Sequence, residues 1–511
     1  MKSTPNGSSA SSMRHGVPEG RRLLLGIDLG SSGVKAVLLD AEIGIVATQS
    51  HEVALFSDHP GWAEADHHEW WDAVCVLVPR LLEAATASSR DVEAVAVTGM
   101  VPAILCVGEN GEPLRRAILQ NDGRATREID EVRRALGDFD LLALTGSVLS
   151  QQSVAPTALW LARHEPDVWS STTSLQDSYD WLARALGASA HVEYNWAIES
   201  GLYDFDGVVL DAVLAVTSLK WPTLLDVAAP GQIVGEVSAA AAAATGLRAG
   251  TTIVVGGADH VLSAYGAGLV EQGDCLIKLG GSGDILAVSD EKFLDWRLYL
   301  DRYPIPGKWM PNGCMATSGS MLRWEEGLFE MPLAELDALA AACTPGALVT
   351  LPYFLGEKTP LHDPDLRGVV VGLHLGTTRG DLHRSLLESI AYGFRANFDV
   401  FAEDGLVLGR PRVTNGGSKS RLWRQILADV LNREVVSIVH HPGASYGAAV
   451  IAGVGTGVIP DWRYVVGALS EGEVIAPTSA HVEIYEERYL QFQRLTEATT
   501  SLSHSLARSS L

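Results

Sequence analysis

Apolar residues fall in short blocks along this chain, and the spacing inside the blocks alternates between two periods. "RLLLGIDLG", "GVKAVLLDAEIG" and "IVATQSHEVAL" are rich in leucine and β-branched residues and bounded by glycine. They predict three strands with tight turns, an antiparallel meander. In "EADHHEWWDAVCVLVPRLLEAA" the period changes: Trp71, Val74, Val78 and Leu82 recur at helical spacing, so a helix follows the meander. "VEAVAVTGM" then reads as a buried strand, and strand alternates with helix from there. That order predicts an α/β architecture on a mixed sheet, with its first strands antiparallel and its later ones reached by helical crossovers.

A second strand–turn–strand unit begins after "TTIVVGGADH", in "DCLIKLGGSGDILAVSD". One constant offset lays Ile27 on Ile277, Leu29 on Leu279, Gly30 on Gly280, Ser32 on Ser282, Gly33 on Gly283 and Asp40 on Asp290. Two structurally related halves are expected, each with its own glycine hairpin. Leu382, Leu386, Ile390, Phe394 and Phe398 mark a long amphipathic helix stopped at Gly405, and "PRVTNGGSKSRLWRQILADVLN" reads as strand, glycine loop and helix. Backbone NH groups at such a helix start can face an anionic ligand.

Length and charge narrow the function. At 511 residues with 47% apolar composition, the chain supports two cores and hence two domains. Its 62 acidic and 38 basic side chains leave a net charge of -24, which repels a nucleic-acid backbone. An anionic small ligand remains compatible where a metal ion and oriented NH groups outweigh the mean field. Cys75, Cys106, Cys275, Cys314 and Cys343 are scattered and odd in number, as in a reduced cytoplasmic protein. No apolar run reaches the roughly 20 residues of a membrane helix. Residues 1–22 read as a disordered lead without a signal peptide, and the polar end "TTSLSHSLARSSL" as a frayed tail.

"DLGSSG" alone suits a hairpin turn whether or not it binds anything, and GSSGVK is not a Walker A loop. Its company decides the matter: a second glycine hairpin in the second half, a carboxylate beside each domain's core, and a strand–glycine–helix unit near the C terminus. "GIDLGSSGVKAVLLD", "GWAEADHHEWW", "RRAILQNDGR", "LWLARHEP", "VVGGADHVLSAYGAG", "IKLGGSG", "LPYFLGEKTPLHDPDLRGVVVGL", "LLESIAYG" and "NGGSKSRLWRQILADVLN" occur in one order. Together they identify a resemblance to the FGGY family of carbohydrate kinases, and within it to the xylulokinase branch, from about Leu23 to about Leu495. The resemblance implies two actin-like ATPase (ribonuclease-H-like) domains, 23–256 on the sugar side and 257–495 on the nucleotide side, with a cleft between them and a flexible tail over 496–511. It implies ATP-dependent phosphorylation of a ketose such as a pentulose. A polyol or sugar-acid kinase, and a non-catalytic sugar- or nucleotide-binding homologue, stand as alternatives.

Residue by residue, the resemblance implies Asp259 as the base that accepts the hydroxyl proton, although an aspartate there is also placed to cap the helix that follows. Asp28 would hold Mg2+; pairing with Lys35 is the other reading. Gly30, Ser31, Ser32, Gly33 and Lys35 would meet the terminal phosphate, Gly280, Gly281 and Ser282 the inner phosphates, and Gly416 and Gly417 the adenosine. Trp62, Asn121 and Asp122, with Glu64 and Arg124, are candidates for sugar contact, against an ordinary Asp122–Arg124 salt bridge. Sugar contacts are also implied for Met100, Val101, Pro102 and His260. Here the chain departs from the branch: Met100–Ala103 stand where Gln-Met-His-Gly is usual, His260 where asparagine or glutamine follows the base, Thr157 where the family has lysine, and Gly281 where threonine is common. The partners implied are a small sugar and ATP, with a homodimer left open, and neither nucleic acid nor membrane.

Overall fold

The computed structural model describes residues 21–439, 441 and 443–509. The meander forms as expected: β1 (Leu23–Leu29), β2 (Gly33–Asp40) and β3 (Gly44–Glu52) pair antiparallel. Helix α1 (His67–Ala84) follows and leads to β4 (Val92–Gly99), which lies parallel to β1, and β5 (Thr252–Ala258) lies parallel to β4. The α1 face that packs inward is Trp70, Val74, Leu77, Val78 and Leu81, rotated from the expected face because Trp70 rather than Trp71 points into the core. With Ile233–Glu236 on its edge, this sheet has six strands.

After α2 (Asp259–Gly266), the second sheet repeats the plan. β6 (Cys275–Leu279), β7 (Gly283–Ala287) and β8 (Trp309–Met315) are antiparallel, and β9 (Arg412–Thr414) and β10 (Val435–Ile438) extend β6 in parallel. Five strands of each sheet lie side by side in one pattern, β3-β2-β1-β4-β5 in the first and β8-β7-β6-β9-β10 in the second. The half-to-half sequence match therefore has a topological counterpart: each glycine turn joins the first two strands of its sheet.

Helix α3 (Arg379–Glu403) is the long helix read from the sequence, ending before Gly405 at φ 85°. It is followed by α4 (Arg421–Leu431) and α5 (Gly443–Thr456). The small, apolar α5 returns to the first sheet, where its buried residues join the first core. A side chain at Gly26 of β1 would run into the Ser445 carbonyl, and one at Gly447 of α5 into the Leu262 carbonyl. Glycine at both places lets backbone approach backbone.

Two expected boundaries move. The division after residue 256 falls inside β5, which stays paired to β4 through Ala258; α2 also packs into the first core. Of the tail expected over 496–511, residues 496–509 are instead part of α6 (Ser479–Ser509), and 510–511 lie outside the described residues. Tyr489, Phe492, Ser503 and Ala507 are buried along it, and the Thr496 hydroxyl lies 3.0 Å from that of Tyr353. Small and hydroxyl residues continue the buried stripe, which hides its helical period in a polar-looking sequence. Of the expected lead, residues 1–20 lie outside the described residues, while Arg21 Nε donates to Asp40 Oδ2 at 3.0 Å. Among the described residues all five cysteines are free, and no helix is long and apolar enough to cross a membrane.

Candidate active site

The end of β5 delivers Asp259. Between Val255 and Gly257 the ladder to β4 carries a bulge, which re-aims the strand as bulges beside functional sites do. A Cβ at Gly256 would fall on the Val97 carbonyl, and the Thr98 hydroxyl donates to the Gly257 carbonyl at 2.6 Å. Packing therefore demands glycine at 256, whereas a Cβ at Gly257 would make only ordinary contacts, at 3.5 Å, with Glu193 and Leu262. Asp259 is the first residue inside α2; Ala258 is the cap, and no side-chain hydrogen bond caps this helix. The capping role that the sequence allows is not the one adopted. The carboxylate is not spent on the helix end, and 36% of the side chain is exposed.

Asp259 borders three cavities that meet around it. The first is lined also by Val101, Gln120, Glu199, His260, Lys278, Ser282, Asp284, Asp301 and Asn312. The second carries Asp28, Lys35, Lys278, Asn415, Gly416, Ser418 and Lys419. The third follows the first glycine turn, Gly30 to Gly33, with Lys35, Met100, Asn121, Ser282 and Lys358. A fourth, lined by Gly280, Gly281, Leu322, Arg323, Gly417 and Trp423, adjoins the second at Gly416 and Lys419. One carboxylate therefore sits between a polar pocket and a lysine-lined, glycine-edged trough.

The two hairpins carry opposite charges at matching places. Asp28 faces Lys35 across β1 and β2, and Lys278 faces Asp284 across β6 and β7. The offset that aligns the halves lays Asp28 on Lys278. Lys278 Nζ lies 3.3 Å from Asp284 Oδ2. Burial opposes charge on the ammonium, but Asp284 and Asp259 outweigh it and hold its pKa above the ordinary value. Asp28 behaves differently: among the described residues no hydrogen bond or ion pair holds its carboxylate, so the Lys35 contact is an alignment of strands and not a salt bridge within 4 Å. Burial, then the charge of Asp259, lifts Asp28 to about 7, against the pull of Lys35 and Lys278. An unpaired carboxylate beside a second carboxylate suits a divalent cation, which favours one or two such oxygens together with phosphate oxygens.

Both turns are braced. Gly30 N donates to Gly33 O at 3.0 Å, and Val53 N donates to Ser32 O at 3.2 Å. The Gly281 carbonyl accepts from Ser318 N at 2.9 Å and Ser320 N at 3.0 Å, and Gly280 O accepts from Gly319 N at 2.8 Å. In the C-terminal loop a Cβ at Gly417 would lie 2.7 Å from Leu279 Cβ and strike the Trp423 ring, whereas one at Gly416 meets nothing.

Of the expected sugar contacts, Val101 and His260 line the first cavity, and Met100 and Asn121 the third. Pro102, Trp62 and Asp122 line none of the four. Asp122 is buried and grips Arg124 through two bonds of 2.8 and 2.7 Å. Arg124 also reaches Glu64 Oε1 at 2.7 Å and lies over the Trp62 ring at 3.8 Å. This is the salt-bridge reading, with the tryptophan as its lid.

The sequence did not single out Lys278, Asp284, Lys419, Asp301 or Glu199. Lys278 had a signal in the internal offset. Asp301 and Glu199 had none, since one lies on the strand Tyr299–Arg302 and the other on the helix Tyr194–Glu199, both far along the chain from Asp259.

The sequence model for the N-terminal domain of the FGGY family of carbohydrate kinases matches residues 23–266, and that for the C-terminal domain matches 275–456. The crystal structure of xylulose kinase from Rhodospirillum rubrum is 37% identical, covers 94% of this chain and 100% of its own, and superposes with a TM-score of 0.88. Xylulose kinase of Staphylococcus epidermidis is 28% identical over 493 residues, 95% of this chain and 99% of that protein. Xylulose kinase of Escherichia coli K12 is 28% identical over 485 residues, 93% of this chain and 98% of that protein.

Proposed function

This chain belongs to the FGGY family of carbohydrate kinases, and from that premise we propose that it moves the terminal phosphoryl group of ATP onto a hydroxyl of a ketose, with a pentulose such as xylulose as the favoured acceptor. The sugar occupies the first cavity, the phosphates the lysine-lined trough, and the nucleoside the fourth cavity beside Gly417 and Trp423. Asp259 takes the hydroxyl proton as that oxygen forms its bond to the terminal phosphorus, and the bond from phosphorus to the ADP oxygen breaks. Lys278 and Lys35, one from each hairpin, offset charge on the transferring group, and the NH groups of both glycine turns hold its oxygens. Asp28 is the residue placed to hold Mg2+, which when bound would neutralise phosphate charge. The family relation supports the reaction class, and the xylulose kinases among its relatives support the acceptor.

The observation that carries this reading is the position of Asp259: uncapped, partly open, and shared by the polar pocket and the phosphate trough. Its test is ADP release over a panel of ketoses, polyols and sugar acids, with and without Mg2+, for the wild type and Asp259→Asn. Loss of a general base predicts a fall in kcat of roughly 10²–10⁴-fold, with nucleotide still raising the melting temperature of the variant. Wild-type turnover by Asp259→Asn would overturn the reading. Nucleotide binding without any acceptor-stimulated turnover by the wild type would establish the non-catalytic alternative, and a polyol or sugar acid heading the panel would replace the ketose.

A further inference from the structure

The residue after the base is His260, and both nitrogens of its ring face carboxylates. Nε2 lies 2.8 Å from Asp301 Oδ2, and Nδ1 lies 3.6 Å from Asp259 Oδ1. Asp301 is itself fixed: Asn312 Nδ2 donates to its Oδ2 at 2.7 Å, and only 3% of its side chain is exposed. Glu199 completes the group, since ligating atoms of Glu199, His260 and Asp301 all lie within 4.8 Å of one another. Its Oε1 is buried and has no hydrogen-bond partner among the described residues. We propose that His260 is a positioning residue that tethers the Asp259 carboxylate to the anchored Asp301–Glu199 pair, so that the base is aimed at the acceptor only while the ring carries both protons.

A neutral imidazole carries no charge and has one N–H donor, which Asp301 takes; the imidazolium keeps that bond and also holds the Asp259 carboxylate by charge, at 3.6 Å and so beyond hydrogen-bond reach. Asp301 is the closer and the more firmly held, so the contact given up on deprotonation is the one to Asp259. The titratable groups facing the ring are Asp301 from the strand Tyr299–Arg302, Asp259 from α2, Asp284 of β7 at longer range, and Glu199 from the helix Tyr194–Glu199, whose carboxyl is pushed well above the ordinary range by burial and by Asp301. Lys278 opposes them, drawn to Asp284 and Asp259. Burial works against the imidazolium, but Asp301, Asp259 and Glu199 outweigh it and raise the pKa well above the ordinary histidine value. The tether is therefore intact at neutral pH and fails on the alkaline side.

The inference rests on Asp259 being the base, so the test includes Asp259→Asn in the same ADP-release assay. His260→Gln and Asp301→Asn are measured across pH with the best acceptor, and folding is checked by nucleotide-induced thermal shift. The expected result is a kcat about tenfold lower for each variant, with acceptor KM changed less than threefold. The wild type should show an alkaline fall in kcat/KM that is absent from His260→Gln, and the double variant should be no slower than the slower single one. If Asp259→Asn is inactive while His260→Gln keeps the wild-type kcat and alkaline limb, or if the two single losses multiply in the double variant, the tether is refuted and the base assignment stands. If Asp259→Asn is active, the base assignment itself fails.

Discussion

Arg124→Met separates structure from substrate recognition at the group that the sequence offered as a sugar site. The guanidinium is 1% exposed and donates to Asp122 at 2.8 and 2.7 Å and to Glu64 at 2.7 Å. Methionine keeps much of the volume beneath Trp62 but leaves two buried carboxylates short of donors. Hydrogen bonds to charged groups are worth about 1.5–3 kcal/mol each, and stripping one partner from a buried ion pair costs about 3–5 kcal/mol. Compensation here is partial: Asp122 still accepts from Ala63 N at 2.6 Å and Arg124 N at 2.9 Å, and Glu64 keeps Arg115. The expected loss is therefore about 3–4 kcal/mol, within the range for a broken buried pair. Urea unfolding followed by tryptophan fluorescence measures it, since Trp62 and Trp160 both border the guanidinium. Because none of Trp62, Asp122 or Arg124 lines the four cavities, the folded variant should keep its acceptor KM within about twofold. An unchanged urea midpoint with a tenfold rise in acceptor KM would show that the network reads the sugar and that the packing argument is wrong.

Two neighbouring glycines should respond oppositely to one methyl group. Gly416→Ala, facing open space, should leave the KM for ATP within about twofold, while Gly417→Ala, which drives into Trp423 and Leu279, should raise it at least tenfold; equal responses would refute the nucleoside assignment. His383 predicts a pH dependence of stability. Its Nδ1 lies 2.6 Å from Glu325 Oε2 and its Nε2 2.9 Å from Asp337 Oδ1. Burial lowers its pKa, but these bonds overcome that effect and hold it at about 9. A folded-state value above the unfolded one stabilises fully below about 6.5 and is lost as pH rises through about 9, a contribution of up to about 3 kcal/mol. Urea midpoints at pH 6 and pH 9.5 should converge in His383→Gln relative to the wild type, and an undiminished alkaline loss in that variant would place its source elsewhere.

What was legible in the sequence was local. A glycine turn between two apolar runs specifies a hairpin through a handful of adjacent residues, so both hairpins, Asp28 and the strand leading to Asp259 were readable. The same locality misled where burial depends on the partner surface. Trp70 rather than Trp71 faces the core because of how α1 lies on the sheet, and the polar end of α6 is covered by packing that no window of its own sequence reports. Asp122 looked like a loop residue free to meet a ligand until Arg124, Glu64 and Trp62 closed over it.

By itself the sequence determined two mixed sheets of one plan, a glycine turn in each, and the residue types needed to move a phosphoryl group. The tertiary structure decided which charges meet. Lys278 stands on the second hairpin where Asp28 stands on the first, and His260, Asp301 and Glu199 converge from three separate elements. Strand and turn formation depend on neighbours along the chain, whereas the field at a carboxylate depends on neighbours in space, and chain order does not encode those distances.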